Sequence, residues 1–245
     1  VKSPPEEVAR LAHEHDAVLV LDCVTSLGGE EVAFDRWGVD VAYSGTQKCL
    51  GAPPGLAPVC FSPRALEVVA RRKRPVQSLY LDIGVLRTYW DSTRNYHHTA
   101  PISMVYALRE ALRLVLEEGL EARWRRHARN AAALRAGVQA LGLGLFAHAG
   151  SRLNPLTTVG IPEGVDDRQV RGALLREFGI EVGGGLGPVV GKVWRVGLMG
   201  ESSKESNVLS FLAALERLLP RFGYEVPVGA GVAAAERELG REEGR

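Results

Sequence analysis

Five consecutive apolar residues, Ala17-Val18-Leu19-Val20-Leu21, run without a polar interruption into Asp22. A strand with one wet face alternates, so an unbroken run of this length predicts a strand covered on both faces, as in a parallel sheet. Parallel neighbours need a crossover connection, usually a helix, so the surrounding chain should alternate helices and strands. The run Val39 to Tyr43, with Val39, Val41, Ala42 and Tyr43 apolar, breaks at Ser44-Gly45 and reads as a second short, buried strand. Upstream, Ser3 fits a helix N-cap, Pro4 the first helical position and Glu6 a capping box, with Val8, Leu11 and Ala12 as the apolar face.

Ligands of parallel sheets bind beyond the carboxyl ends of the strands. Asp22 ends the first strand, and Lys48 follows the second, just before the turn Gly51-Ala52-Pro53-Pro54-Gly55. Both should therefore stand on one rim. A lysine held at a strand mouth can lose its proton through burial and attack a carbonyl. An acid and an amine together suit pyridoxal phosphate: the lysine forms the Schiff base, and the acid keeps the pyridine nitrogen protonated so that the ring accepts electrons. Two competing readings are a solvated loop lysine and, for Asp22, a metal-binding aspartate of a nucleotide hydrolase.

The stretches Leu21-Asp22-Cys23-Val24-Thr25-Ser26-Leu27-Gly28-Gly29, Tyr43-Ser44-Gly45-Thr46-Gln47-Lys48, Tyr96-His97-His98-Thr99, Gly185-Leu186-Gly187-Pro188 and Lys192 to Gly200 occur in this order. Together they resemble the class V aminotransferases, closest to the alanine–glyoxylate and serine–pyruvate group. The resemblance implies a type I pyridoxal-phosphate fold. Residues 1–119 would be the later part of the cofactor domain, with a mainly parallel sheet, and residues 120–245 a small C-terminal α/β domain. It implies that Lys48 carries the cofactor as an aldimine and shuttles the proton, that Asp22 pairs with the ring nitrogen, that Val24 packs on the ring, and that Gln47 bonds near the phosphate. Tyr96 and Thr99 would serve the phosphate of a neighbouring subunit, which makes the enzyme a homodimer with shared sites. Arg195 would bind the substrate carboxylate, with alanine or serine as donor and glyoxylate or pyruvate as acceptor. Residue 1 is Val, and the family's glycine-rich turn and ring-stacking aromatic precede the segment of Asp22; activity is expected of a longer protein.

The net charge of +1 over 245 residues argues against a general nucleic-acid or acidic-membrane partner. Cys23, Cys49 and Cys60 are too few and odd in number for a disulfide framework, and read as reduced thiols of a cytoplasmic protein. No apolar run approaches the ~20 residues of a membrane span. His13-Glu14-His15-Asp16 tempts a metal reading, but residues two apart on a helix do not share a face. Residues 63–74 carry Arg64, Arg71, Arg72, Lys73 and Arg74 on a helical, solvated stretch, and Ser78–Asp82 and Leu86–Trp90 carry aromatics toward the cleft or a subunit contact.

Pro101 opens a helix with Ile102, Val105, Leu108, Leu112 and Val115 on one stripe, ending at Gly119. Residues 120–141 form another helix, apolar at Leu120, Trp124, Ala128, Ala131, Leu134 and Val138, with its arginines on the wet side. A strand is expected at 156–161, a helix at 167–178, a strand at 192–199, a helix at 204–219, and a frayed helix from Gly229 to Arg245. The run Gly183 to Lys192 fails as a phosphate-binding loop, because Leu186 and Val193 stand where glycine and serine or threonine are needed. It reads as a flexible loop at the cleft edge. Arg195, flanked by Trp194 and Val196, points away from their face. Its fork suits a carboxylate, of substrate or of a structural ion pair.

Three other functions share this fold or this residue set. A cysteine desulfurase needs a mobile cysteine, and none follows Cys60. A phosphoserine aminotransferase needs further basic residues for a second phosphate. A non-catalytic subunit would have no use for Asp22, Gln47, Lys48 and Arg195 together.

Overall fold

The computed structural model describes residues 1–241. Helix α1 (Pro5–Glu14) leads to strand β1 (Val20–Asp22), which pairs in parallel with β2 (Val41–Tyr43), Asp22 opposite Tyr43. Ser3 does not cap α1. The extended backbone of Pro4 makes it the N-cap, so the helix begins one residue late and no side chain satisfies its first turn.

A strand that the sequence reading lacks, β3 (Val59–Phe61), pairs antiparallel with β2. No helix separates β2 from β3, so the chain can only turn back on itself, and this sheet is mixed, in the order β1-β2-β3. Nor is β1 covered on both faces. Leu21 packs with Ala42, Cys23 and Val39, whereas Val20, on the opposite face, is 54% exposed.

Helix α2 (Pro63–Ala70) is capped by Ser62, whose Oγ accepts the Ala65 N–H at 3.1 Å, and α3 (Ile83–Trp90) by Asp82. Helix α4 (Ile102–Glu118) stops at Gly119, whose φ of 80° suits glycine. Of its expected apolar stripe only Val115 is buried, with Ile102, Val105 and Leu112 exposed; Ala111, off that stripe, is buried too. Helix α5 (Leu120–Ala140) follows at once.

Next come β4 (Leu156–Gly160), α6 (Asp167–Phe178), β5 (Gly183–Gly184), β6 (Val193–Gly197), α7 (Glu205–Leu218) and α8 (Ala230–Gly240). Strands β4, β6 and β5 form a second, antiparallel sheet. The main core lies here, built on Leu134, Val138, Leu174, Trp194, Leu212 and Leu215. Helix α8 is not frayed. Ala235 and Leu239 are buried, and the buried carboxylate of Glu216 accepts the N–H groups of Gly229, Gly231 and Val232 at its start. Residues 242–245 of that expected helix lie outside the described residues.

Candidate active site

Asp22 closes β1 at the carboxyl end of the parallel pair. Its Oδ1 accepts the Val24 N–H at 2.9 Å, and its Oδ2 accepts the Tyr43 hydroxyl at 2.9 Å. The carboxylate is thus oriented from both strands while remaining exposed. Val24 is half-buried immediately beyond it.

Lys48 stands in the loop after β2. That loop is held closely. The Ser44 hydroxyl donates to Cys23 O at 3.2 Å, and the Thr46 hydroxyl donates to Pro53 O at 2.7 Å. The Cys49 thiol donates to Thr25 O at 3.2 Å. The Ser44 and Cys49 bonds lash the Lys48 loop to the loop after Asp22. Burial pushes the Cys49 thiol up to about 11, so it stays protonated there. Lys48 itself is half-buried and Gln47 exposed. All three cysteines are free.

Arg195 lies on β6, between the buried Trp194 and Val196. Its Nε donates to Gly184 O at 2.7 Å. A side chain on Gly183 would come within 3.0 Å of the Arg195 guanidinium, so the glycines make room for it. The Gly183–Lys192 run is therefore not all loop: Gly183 and Gly184 pair with Arg195 and Trp194 as β5. Tyr96 and Thr99 bond each other at 2.6 Å on an exposed segment, and neither bonds any part of the Asp22–Lys48 region.

The family model for class-V aminotransferases matches residues 1–206. The chain belongs to the class-V aminotransferases. The (S)-ureidoglycine–glyoxylate transaminase of Bacillus subtilis is 42% identical over 95% of this chain and 60% of its own length. The solved ureidoglycine–glyoxylate aminotransferase from Bacillus subtilis superposes with a TM-score of 0.93 at 43% identity, over 97% of this chain and 62% of that one. A solved alanine–glyoxylate aminotransferase from Nostoc superposes with a TM-score of 0.86 at 50% identity, over 88% and 57%. The chain thus spans about three fifths of the length of these relatives.

Pyridoxal phosphate is the cofactor of class-V aminotransferases, and the side chains at this rim have the chemistry to take it. Asp22 offers a fixed carboxylate whose two bonds are both to neutral donors. Among the described residues, no carboxylate lies within ion-pair distance of Lys48 or Arg195, so neither cation is neutralised internally, although the Arg195 Nε is held by Gly184 O. No cluster fit to hold a metal exists among the described residues, His13 to Asp16 included. His13 instead bonds the buried Asp40 at 2.8 Å.

Helix α5 also reaches the Lys48 loop. Its arginines are not all on the wet side: Arg123 is 1% exposed. The Arg123 Nη2 donates to Cys49 O at 2.9 Å, and its Nη1 pairs with Glu118. Arg126 bonds the same carboxylate and donates to Gly200 O at 3.0 Å and Ser203 O at 2.7 Å. The buried His127 accepts the Gly200 N–H at 3.0 Å through Nε2 and donates from Nδ1 to Arg123 O, and burial holds it below its ordinary pKa. In the first half of α5 the buried residues are Arg123, His127 and Asn130, whereas Leu120, Trp124 and Ala128 of the expected apolar stripe are not buried; Ala131 and the rest of that stripe are. The signal was available: these three polar residues continue, at helical spacing, the stripe of Leu134 and Val138.

Proposed function

We propose that this chain carries the acid, the lysine and the carboxylate-binding arginine of a pyridoxal-phosphate-dependent aminotransferase that moves an amino group from a small amino acid to a small 2-oxo acid. The observation that carries it is the pairing of Asp22 and the Lys48 loop at the carboxyl ends of two directly hydrogen-bonded parallel strands. Glyoxylate is the favoured acceptor, because it is the acceptor named for the two similar proteins. Alanine, serine or a ureido-substituted glycine are the candidate donors.

When bound, pyridoxal phosphate supplies an aldehyde and a ring that takes up the electrons of a broken Cα–H bond. Asp22 would receive the ring nitrogen's N–H on a carboxylate already oriented by Tyr43 and Val24. Lys48 would hold the group covalently through Nζ, and once displaced by the amino donor, its free Nζ would take the Cα proton. Val24 would pack on the ring and Gln47 would bond near the phosphate. Arg195 has its Nε committed to Gly184 O, which leaves both Nη groups to grip the α-carboxylate common to donor and acceptor.

The exposed Tyr96 and Thr99 hydroxyls are assigned to the phosphate of a second copy, in a homodimer. The free thiols and the absence, among the described residues, of any helix long and apolar enough to cross a membrane support a cytoplasmic enzyme. Borohydride reduction of the full-length holoenzyme followed by peptide mapping tests the assignment. The pyridoxyl label is expected on Lys48; a label on Lys73 or Lys192 would remove it. Mixing Lys48→Ala with Tyr96→Phe/Thr99→Val protein is expected to restore activity through hybrid dimers, and no restoration would argue against shared sites.

A further inference from the structure

The turn that carries Lys48 is held from two directions. From its own sheet it is held by Ser44, Thr46 and the Cys49 thiol. From the other side it is met by Arg123 and Gly200. A Cβ on Gly200, whose φ is +56°, would stand 3.2 Å from Cys49 O and 3.3 Å from Lys48 O, so only glycine fits there without strain. The Lys48 carbonyl accepts the Gly51 N–H at 3.0 Å, and the Cys49 carbonyl accepts Arg123 Nη2. The peptide just after the lysine therefore ends on a buried guanidinium that belongs to a different element, 74 residues away in sequence.

Stability alone does not account for Arg123. Its Nε is buried with no hydrogen-bond partner, and leaving a buried donor bare is unfavourable. A whole buried ion pair can often be replaced by apolar residues of similar size with no loss of stability, although removing one partner alone is costly. The guanidinium is oriented toward Cys49 O at the expense of satisfying its own Nε. Its neighbour Arg126 satisfies the same Glu118 and grips Gly200 and Ser203, but does not touch the Lys48 turn. Both arginines thus tie Glu118 to the turn after β6, Arg123 through Glu201 at 3.4 Å and Arg126 through Gly200 and Ser203, but only Arg123 also reaches the lysine loop.

We propose that Arg123 is a positioning residue for Lys48: by holding the Cys49 carbonyl it fixes the turn from which the Lys48 amine reaches the cofactor aldehyde. This rests on the functional reading given above. The link concerned forms when Nζ adds to the aldehyde carbon and water leaves, so its equilibrium constant reads directly how well the amine is placed.

The test uses the full-length holoenzyme and three variants, Arg123→Met, Arg126→Met and Lys48→Ala, with the last giving the non-covalent binding of pyridoxal phosphate as the baseline. Absorbance titration measures the covalent link above that baseline, and thermal melting reports the fold. Arg123→Met is expected to weaken the link about 10- to 100-fold, the scale of one charge-assisted hydrogen bond, and to lower Tm, because Cys49 O and Glu118 each lose a donor. Arg126→Met is expected to lower Tm and leave the link near its wild-type value. An unchanged link in Arg123→Met, or an equal weakening in both, would overturn the proposal. Should Arg123→Met not fold, Arg123→Lys replaces it: its single ammonium pairs with Glu118 and leaves Cys49 O bare, so the link should still weaken, and a wild-type value would overturn the proposal. A wild-type protein in which borohydride traps no label on Lys48 would remove the functional reading first and this inference with it.

Discussion

Tyr43 and Asp22 are register partners across the parallel pair, and the Tyr43 hydroxyl donates to Asp22 Oδ2 at 2.9 Å. The bond, with the negative charge behind it, holds the Tyr43 phenol above its ordinary pKa. One strand therefore aims the acid that the other presents. Tyr43→Phe is expected to keep the fold and to weaken cofactor binding about 2- to 10-fold, the worth of one hydrogen bond of ~0.5–1.5 kcal/mol. Equilibrium titration of the apoenzyme with pyridoxal phosphate measures it, and an unchanged affinity would leave Tyr43 with no orienting role.

Asp22→Asn is nearly isosteric, but its amide has one acceptor oxygen for the two donors, Val24 N–H and Tyr43 Oη, that now share the carboxylate. It also cannot keep a ring nitrogen protonated. Turnover is expected to fall about 100- to 1,000-fold, the scale seen when a preorganised electrostatic partner is lost, with cofactor still bound. Near-normal kcat would show that the acid serves structure alone.

Glu118 joins Arg126 and Arg123. The Arg126 hydrogen bonds, opposed by burial and aided by Arg123, pull its carboxyl down to about 2. The unfolded chain would have it near the ordinary ~4.3. A depressed carboxyl contributes stability that is fully present above the unfolded value and is lost as pH falls through the folded one. Glu118→Gln should therefore be less stable than wild type at pH 7, and the gap should close between about pH 4 and pH 2. Urea unfolding of both proteins across that range checks the sign; a gap that stays constant would mean the pair is not what the variant disturbs.

Arg195→Ala is expected to lower kcat/KM for amino-acid donors by about 30- to several-thousand-fold, corresponding to ~2–5 kcal/mol for truncating one partner of a buried charge pair. Arg195→Lys should recover little, because lysine lacks the planar fork. Simple amines without a carboxylate should be affected far less. An equal loss for both kinds of donor would turn Arg195 into a structural residue that holds Gly184.

The candidate site residues that the sequence offers are those whose signal is local. Asp22 ends an apolar run, Lys48 follows one across the break at Ser44-Gly45, and the alternation around Arg195 assigns its face. Helix ends marked by capping chemistry could be read in the same way: Asp167–Phe178 runs between a capping Asp166 and a left-handed Gly179. Propensity could not say what would cover a strand. Leu19 to Leu21 are apolar whichever neighbours they meet, so the antiparallel return of β3 followed only from how the chain pairs.

Arg123 shows the same limit at the site itself. An arginine on a helix is ordinarily solvated, and a one-residue error in the buried stripe, about 100° around a helix, suffices to put it on the wrong side. Cys49 O, Glu201 and Glu118 become its partners only because α5, the loop after β2 and the turn after β6 converge. Sequence spacing determines which side chains share a face of one element. Which carbonyl a buried guanidinium meets depends on packing between elements 74 residues apart, and that is decided when they dock.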